Sequence, residues 1–248
     1  MRRQMWVVGA AAVALLFLSG FICAGFSVPI GAPRGSGKLG TETRPVEGVR
    51  EVELASFGNL YVELGETEEL RIEADDNLLR YIETDVDGDT LVIRNRRGTA
   101  LRTRLPIEVY LTVKALDAVL VSGAGNVVLP ELTAETFEIE ITGAGSIDLE
   151  ALHADRLQVR IDGAGDFDVQ GGEVDEQEIS IGGAGDYRAR DLESERTQVN
   201  LSGLGSATLF VREHLDVTIT GAGSVRYLGR PTVEENVTGV GSVESMGE

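Results

Sequence analysis

A Gly-x-Gly element recurs seven times in the second half of the chain, and this repeat limits the possible folds more than any other feature. It reads SGAG from Ser122, TGAG from Thr142, DGAG from Asp162, GGAG from Gly182, SGLG from Ser202, TGAG from Thr220 and TGVG from Thr238. The glycine pairs are Gly123 and Gly125, Gly143 and Gly145, Gly163 and Gly165, Gly183 and Gly185, Gly203 and Gly205, Gly221 and Gly223, and Gly239 and Gly241. Their spacing is 20 residues four times and then 18 twice, the signature of stacked structural repeats. Within FEIEITGAGSIDLEALHADRL, Phe137, Ile139 and Ile141 alternate with charged residues up to the glycines, and Ile147 and Leu149 resume the alternation beyond them. Period-two alternation denotes a strand buried on one face. Each unit is therefore two or three short strands bent around an inner face.

Laid out at the repeat period, the apolar positions form columns: Ile139, Val159, Ile179, Val199 and Val217, then Ile141, Ile161, Ile181, Leu201, Ile219 and Val237. One unit cannot hide its own apolar face. Coils stacked about 4.8 Å apart put like residues over one another in a shared core. The expectation is an all-β, parallel β-helix with a glycine corner in every coil. The glycines are expected to supply positive φ at the turn. Ala124, Ala144, Ala164, Ala184 and Ala222, between them, are expected to fill a narrow corner with a small inward group.

The glycines do not make a nucleotide site, because no copy has the third glycine of a dinucleotide loop and none leads into a helical pattern. Gly35-Ser36-Gly37-Lys38 also fails as a phosphate loop, with Ala32 in place of the first glycine and Leu39 where Ser or Thr is required.

Residues 45–116 lack the repeat but keep the alternation, as in VREVELASFGNLYVEL and GDTLVIRNR, and read as irregular coils capping the repeats of residues 117–248. Asp87-Gly88 reads as a tight turn and Asp75 to Tyr81 as one helical turn. Ahead of them, residues 27–44, with Pro29, Pro33 and a Gly/Ser cluster, are expected to form a flexible linker.

The uncharged stretch Met5 to Phe26 follows Arg2 and Arg3 and is long enough to span a bilayer as a helix. It reads either as a signal peptide cut after Ala24 or as an uncleaved signal anchor, an N-terminal hydrophobic helix over residues 1–26. Phe21-Ile22 before Cys23 departs from a lipoprotein signal. Both readings send the rest of the chain out of the cytoplasm, secreted to the cell envelope or anchored in its membrane. Lys+Arg 22 against Asp+Glu 41 leaves a net charge of −19, a surface that repels phosphate backbones, so nucleic acid is not an expected partner. Cys23 is the only cysteine, and His153 and His214 are the only histidines, so neither a disulfide nor a zinc site is expected. Both histidines are expected at solvent-facing turns.

From about Arg50 to the C-terminus the chain resembles the head GIN domain proteins, putative auto-transporter adhesin heads, through VELASFGNLYVEL, RIEADDNLLRYIETDVDGDTLVI and LPIEVYLTVKALDAVLVSGAGNV and then the later Gly-x-Gly units. The resemblance implies a single-stranded right-handed β-helix in a bacterial envelope, with an adhesion role and no assigned catalytic residues or cofactors. The 18-residue spacing of the last coils departs from that pattern.

Two groups of residues carry chemistry. Asp148, Asp166, Asp168 and Asp186 follow the glycine corners and form a possible carboxylate ladder for calcium, although a solvated acidic edge is the simpler expectation. Arg94, Arg96, Arg97, Arg102 and Arg104 cluster in an otherwise acidic chain and form a possible contact for anionic glycan or lipid. Carboxylate pairs on β-helices also serve polysaccharide hydrolysis. A carbohydrate-active enzyme, hydrolase or lyase, is therefore the alternative to a non-catalytic adhesion or interaction scaffold. The last coil, with Val240 and Val243, is expected to offer an open end for self-association or an envelope partner.

Overall fold

The computed structural model describes residues 32–247. The expected signal segment, residues 1–26, lies outside them, and among the described residues no helix is long and apolar enough to cross a membrane. The described chain is all-β and forms a solenoid of about six turns. Its first half contains β1 (Leu39–Arg44), β2 (Glu51–Ala55), β3 (Phe57–Leu64), β4 (Glu69–Asp75), β5 (Ile82–Asp87), β6 (Thr90–Asn95) and β7 (Glu108–Val113), with a 3-10 turn at Leu79–Tyr81. The repeats begin with β8 (Ala118–Val121), β9 (Ala124–Leu129), β10 (Leu132–Ile141), β11 (Ile147–Leu149), β12 (Leu152–Ile161) and β13 (Phe167–Val169). They continue through β14 (Gly172–Ile181), β15 (Asp186–Leu201), β16 (Ser206–Ile219), β17 (Ala222–Leu228), β18 (Thr232–Val237) and β19 (Val240–Ser245).

Each 20-residue coil turns three corners, and burial marks where. In the coil starting at β10, Leu132 and Ala134 face inward, then Phe137, Ile139 and Ile141, then Gly145, Ile147 and Leu149. The inward parity flips between 134 and 137 and again between 149 and 152. A strand changes its inner set only where the chain bends. Successive coils pair in parallel at the repeat period, so Ile139 lies over Val159, Ile179, Val199 and Val217. Those residues are at most 2% exposed, as the stacked-column reading requires, but Val237, which ends the second column over Ile219, is 40% exposed on the last coil.

The change of period has a local cause. Ala189 on β15 pairs with Leu209 on β16, whereas Glu193 pairs with Phe210. The corner at Arg190, Asp191 and Leu192 thus has no counterpart in the next coil. The strand there runs on, and β16 to β18 keep the shorter step.

Two long walls result. The wide wall runs β5, β6, β2, β8, β10, β12, β14, β15, β16, β18. The other runs β1, β4, β7, β3, β9, β11, β13 and on through β15, β16, β17 and β19. At about 4.8 Å per strand the ten strands of the wide wall extend roughly 43 Å.

The corner glycines correct the sequence reading. None of the repeat glycines has a positive φ, which among the described residues occurs at other glycines, such as Gly88 in the β5–β6 turn (φ 67). What forbids a side chain is the coil below. A Cβ on Gly143, Gly163, Gly183, Gly203, Gly221 or Gly239 would fall within 3.0 Å of the carbonyl oxygen of the first corner glycine one coil earlier. The second glycine of each pair is blocked in the same way. The carbonyl is held there because it accepts a hydrogen bond from the residue between the glycines, as Ala164 N to Gly143 O at 2.9 Å. The intervening Ala144, Ala164 and Ala184 are exposed and point outward, not inward. Leu204, 70% exposed, and Val240, 81% exposed, show that the position admits larger groups.

One stretch of the interior is polar. Tyr187 is fully buried against Phe167, with ring centroids 5.6 Å apart, and donates its hydroxyl hydrogen bond to Gln177 Oε1. Burial pushes the Tyr187 phenol up, keeping it neutral. Gln177 lies in the column that holds Leu157 one coil below and Thr197 one coil above. Its Nε2 is buried and has no hydrogen-bond partner among the described residues.

The N-terminal end is closed by antiparallel strands, and residues 32–44 are part of that closure instead of the expected flexible linker. β1 pairs antiparallel with β4, and β4 with β7. Arg44 on β1 then donates to Ile82 O (2.8 Å) and Thr84 Oγ1 (3.0 Å) on β5, tying the two walls together. The rejected phosphate-loop motif has its own role here. Gly37 N donates to the buried carboxylate of Asp75 at 2.7 Å, and Arg104 N and Leu105 N donate at 2.8 and 3.2 Å. Burial opposes the charge of Asp75, but these backbone donors overcome it and hold the carboxyl below its usual range. At the far end, Glu235 pairs with Val217 and so occupies an inner-column position, yet it is exposed. A charge there opposes the stacking of an apolar coil on β18.

Candidate interaction face

Residues of the wide wall that alternate with the core project outward in three columns. Parallel pairing without stagger makes each column straight. One column holds Thr136, Arg156, Glu176, Arg196, His214 and Thr232. The next runs Glu51, Ala118, Glu138, Gln158, Glu178, Gln198, Asp216 and Glu234, and the third Glu53, Leu120, Glu140, Arg160, Ser180, Asn200, Thr218 and Asn236. These columns carry eight carboxylates and three arginines.

Their order limits self-repulsion. In the first column Glu176 sits between Arg156 and Arg196, with Arg196 Nη2 3.1 Å from Glu176 Oε1. In the second, Ala118 separates Glu51 from Glu138, Gln158 separates Glu138 from Glu178, and Gln198 separates Glu178 from Asp216, so these acids stand two coils apart, about 9.6 Å, and only Asp216 and Glu234 lie in adjacent coils. An open groove of about 430 Å³ lies over this face between β2 and β14, bordered by Glu53, Leu120, Glu138, Glu140, Arg160 and Glu178. The face was legible at the repeat period, since Glu138, Gln158, Glu178 and Gln198 follow it in the sequence. His214 belongs to these columns, and both His153 and His214 lie on strands, not at turns.

The aspartate ladder lies on the other wall and is already neutralised in part. Asp148 pairs with Asp168, and Asp168 with Arg188, in one column. Arg188 reaches Asp168 at 2.7 Å and both Asp166 and Asp186 at 3.0 Å. The guanidinium thus bridges three of the four carboxylates of the ladder. Asp186 Oδ1 also accepts from Ser206 N (3.0 Å) and Ser206 Oγ (2.8 Å), so one oxygen pins the next coil. Asp148 is left at the edge, and desolvation and then Asp168 push its carboxyl up, against the opposing pull of Arg188. Among the described residues no cluster of three or more His, Cys, Asp or Glu side chains is arranged to hold a metal.

The arginine cluster divides. Arg94 pairs with Asp85 at 2.5 Å and Arg96 with Glu83 at 3.1 Å, across the β5–β6 hairpin. Arg104 reaches Ser36 O at 3.3 Å, and Arg97 and Arg102 are exposed with no carboxylate within ion-pairing distance among the described residues. The structure therefore brings Arg102 and Arg104 to the closed N-terminal end and commits Arg94 and Arg96 to internal pairs.

Comparison with known proteins agrees with this architecture. A putative adhesin from Bacteroides fragilis superimposes with a TM-score of 0.81 at 25% identity, over 86% of this chain and 99% of its own. A putative adhesin from Parabacteroides distasonis gives 0.70 at 24% identity over 87% and 100% of the two chains. A second protein of that organism, described as a putative lipid binding protein, gives 0.68 at 22% identity over 86% and 98%. The last two likenesses establish shared fold alone. No functionally curated protein matches the sequence. The model of the family described as "Putative auto-transporter adhesin, head GIN domain" matches residues 50–231, from the first parallel coil to β17 and beyond, and the chain belongs to that family.

Proposed function

We propose that this chain is a non-catalytic extracytoplasmic scaffold, a right-handed β-helix held at the cell envelope by residues 1–26, which adheres to its partner through the wide wall. The observation that carries the reading is the register of the three outward columns, which presents one continuous, carboxylate-rich face along the length of the solenoid. Such a face selects basic partners by charge complementarity and is rigid, because every column is fixed by the core on its reverse side. The family and the adhesin descriptions of similar structures support a surface role.

The test is adhesion of cells displaying the full chain to basic and neutral protein or glycan surfaces. Adhesion should fall with salt and should drop about tenfold or more when Glu138 and Glu178 are changed to Lys. Retained adhesion in that variant would sink the assignment of the wide wall, and release of shortened saccharides from a bound polysaccharide would replace the scaffold with the enzyme.

A further inference from the structure

The closed end of the solenoid differs in charge from the rest of the molecule. Arg34, Lys38, Arg80, Arg96, Arg97, Arg102 and Arg104 are all exposed there. Hydrogen bonds bring the segments of Arg34, Lys38, Arg80, Arg96, Arg102 and Arg104 together, and Arg97 follows Arg96 in the chain. Gly35 N donates to Arg102 O at 2.8 Å, and Arg102 N to Pro33 O at 2.9 Å, so the entering chain lies against the arginine-rich loop. Arg104 Nη1 reaches Ser36 O, Arg80 Nε reaches Asn77 O at 3.1 Å, and Arg96 Nη2 reaches Arg80 O at 2.9 Å. Arg80 and Arg96 both lie near the Tyr81 ring, 5.8 and 5.5 Å from its centroid. The neighbouring acids are engaged within the fold: Asp75 is buried under three backbone donors, Asp76 accepts from Ser36 Oγ, Glu42 pairs with Arg44, Asp85 with Arg94, and Glu83 with Arg94 and Arg96. Among the described residues no carboxylate is within ion-pairing distance of Arg34, Lys38, Arg80, Arg97 or Arg102.

Chain length locates this patch relative to the apolar run. Phe26 ends that run, and Ala32 is already at the patch. Six residues reach at most about 20 Å. A run inserted in a bilayer would therefore hold six basic side chains within reach of the headgroups, Arg96 being engaged with Glu83, while the carboxylate-rich remainder is repelled by any anionic surface. Each Lys or Arg close to an anionic leaflet contributes about 1 kcal/mol of attraction.

We propose that the closed end docks on anionic lipid headgroups, so that the solenoid stands on the membrane with its long axis away from it. The proposal rests on the reading that residues 5–26 insert in the bilayer. It gives the wide wall a definite presentation: side-on, with β18 roughly 40 Å above the lipid surface.

The experiment uses the full chain, with Cys23 changed to Ser and one fluorophore at Thr99→Cys, reconstituted in nanodiscs of phosphatidylcholine with or without phosphatidylglycerol. A nitroxide-headgroup lipid serves as the short-range quencher. Quenching at residue 99 should rise severalfold in the anionic discs and fall with added salt. It should return to the neutral-lipid level in Arg34→Gln/Arg97→Gln/Arg102→Gln, a variant whose exposed substitutions leave the fold measurable by circular dichroism. A fluorophore at Ser242→Cys should remain unquenched throughout. Equal quenching at residue 99 in both lipids, unchanged by the triple substitution, overturns docking while leaving insertion intact. Failure of the chain to enter the discs overturns insertion and docking together. Binding of soluble heparin through the same arginines, with no response to phosphatidylglycerol, assigns the patch to glycan and also overturns the proposal.

Discussion

At the level of single residues, the repeat glycines show how one sequence pattern can serve two different physical demands. A Gly-x-Gly string looks the same whether a turn needs positive φ or a neighbouring backbone comes too close for a Cβ. Here the second demand operates, and only the stacked coil reveals it. Gly163→Ala should cost about 3 kcal/mol, because its Cβ meets Gly143 O and that carbonyl is fixed by the Ala164 N–H. Ala164→Leu should change stability by no more than about 0.5 kcal/mol, since the position faces solvent and Leu204 occupies its equivalent. Thermal unfolding of the two variants checks both. Equal losses would return the corner to the sequence-level explanation.

Between elements, the ladder on β11, β13 and β15 links charge to pH. The column Asp148, Asp168, Arg188 follows the 20-residue step of the sequence, and its last member is the arginine that pairs with the acids. Because the folded-state pKa of Asp148 is raised, the folded chain keeps this proton after the unfolded chain has lost it. Its ionisation therefore works against folding as pH rises through that interval, and the cost persists above the folded pKa. Asp148→Asn should raise the unfolding midpoint at neutral pH, with the gain vanishing below the usual carboxylate range. Denaturation of both proteins across pH measures this. A gain that persisted at low pH would point to packing instead of charge. The arginines show the opposite limit: Arg94 and Arg96 are adjacent in sequence to Arg97, yet the β5–β6 pairing commits the first two to Glu83 and Asp85.

For the whole molecule, a solenoid is held by nearest-neighbour stacking, so stability is greatest where coils have neighbours on both sides. Amide exchange should be slowest in β10, β12 and β14, which pair on both edges and alternate with fully buried side chains. It should be fastest in β18 and β19, whose residues are mostly exposed. Uniform exchange along the chain would mean that the coils unfold as one cooperative block. The antiparallel closure built by β1, β4 and β5 should protect the N-terminal end better than the last coil is protected.

The sequence alone determined that coils form, how many residues each takes and the strand columns that fill the core, because period-two alternation and a 20-residue repeat are local and additive signals; the corner alanines and Val237, expected inside, are exposed. It also identified the family through motifs spread along the chain. Tertiary structure alone decided why the corners are glycine, which arginines stay unpaired, and how residues 35–37 enclose Asp75. Each of those depends on atoms brought together from distant parts of the chain, where the position of a backbone carbonyl or a carboxylate is fixed by the coil it stacks on and not by its own neighbours in sequence.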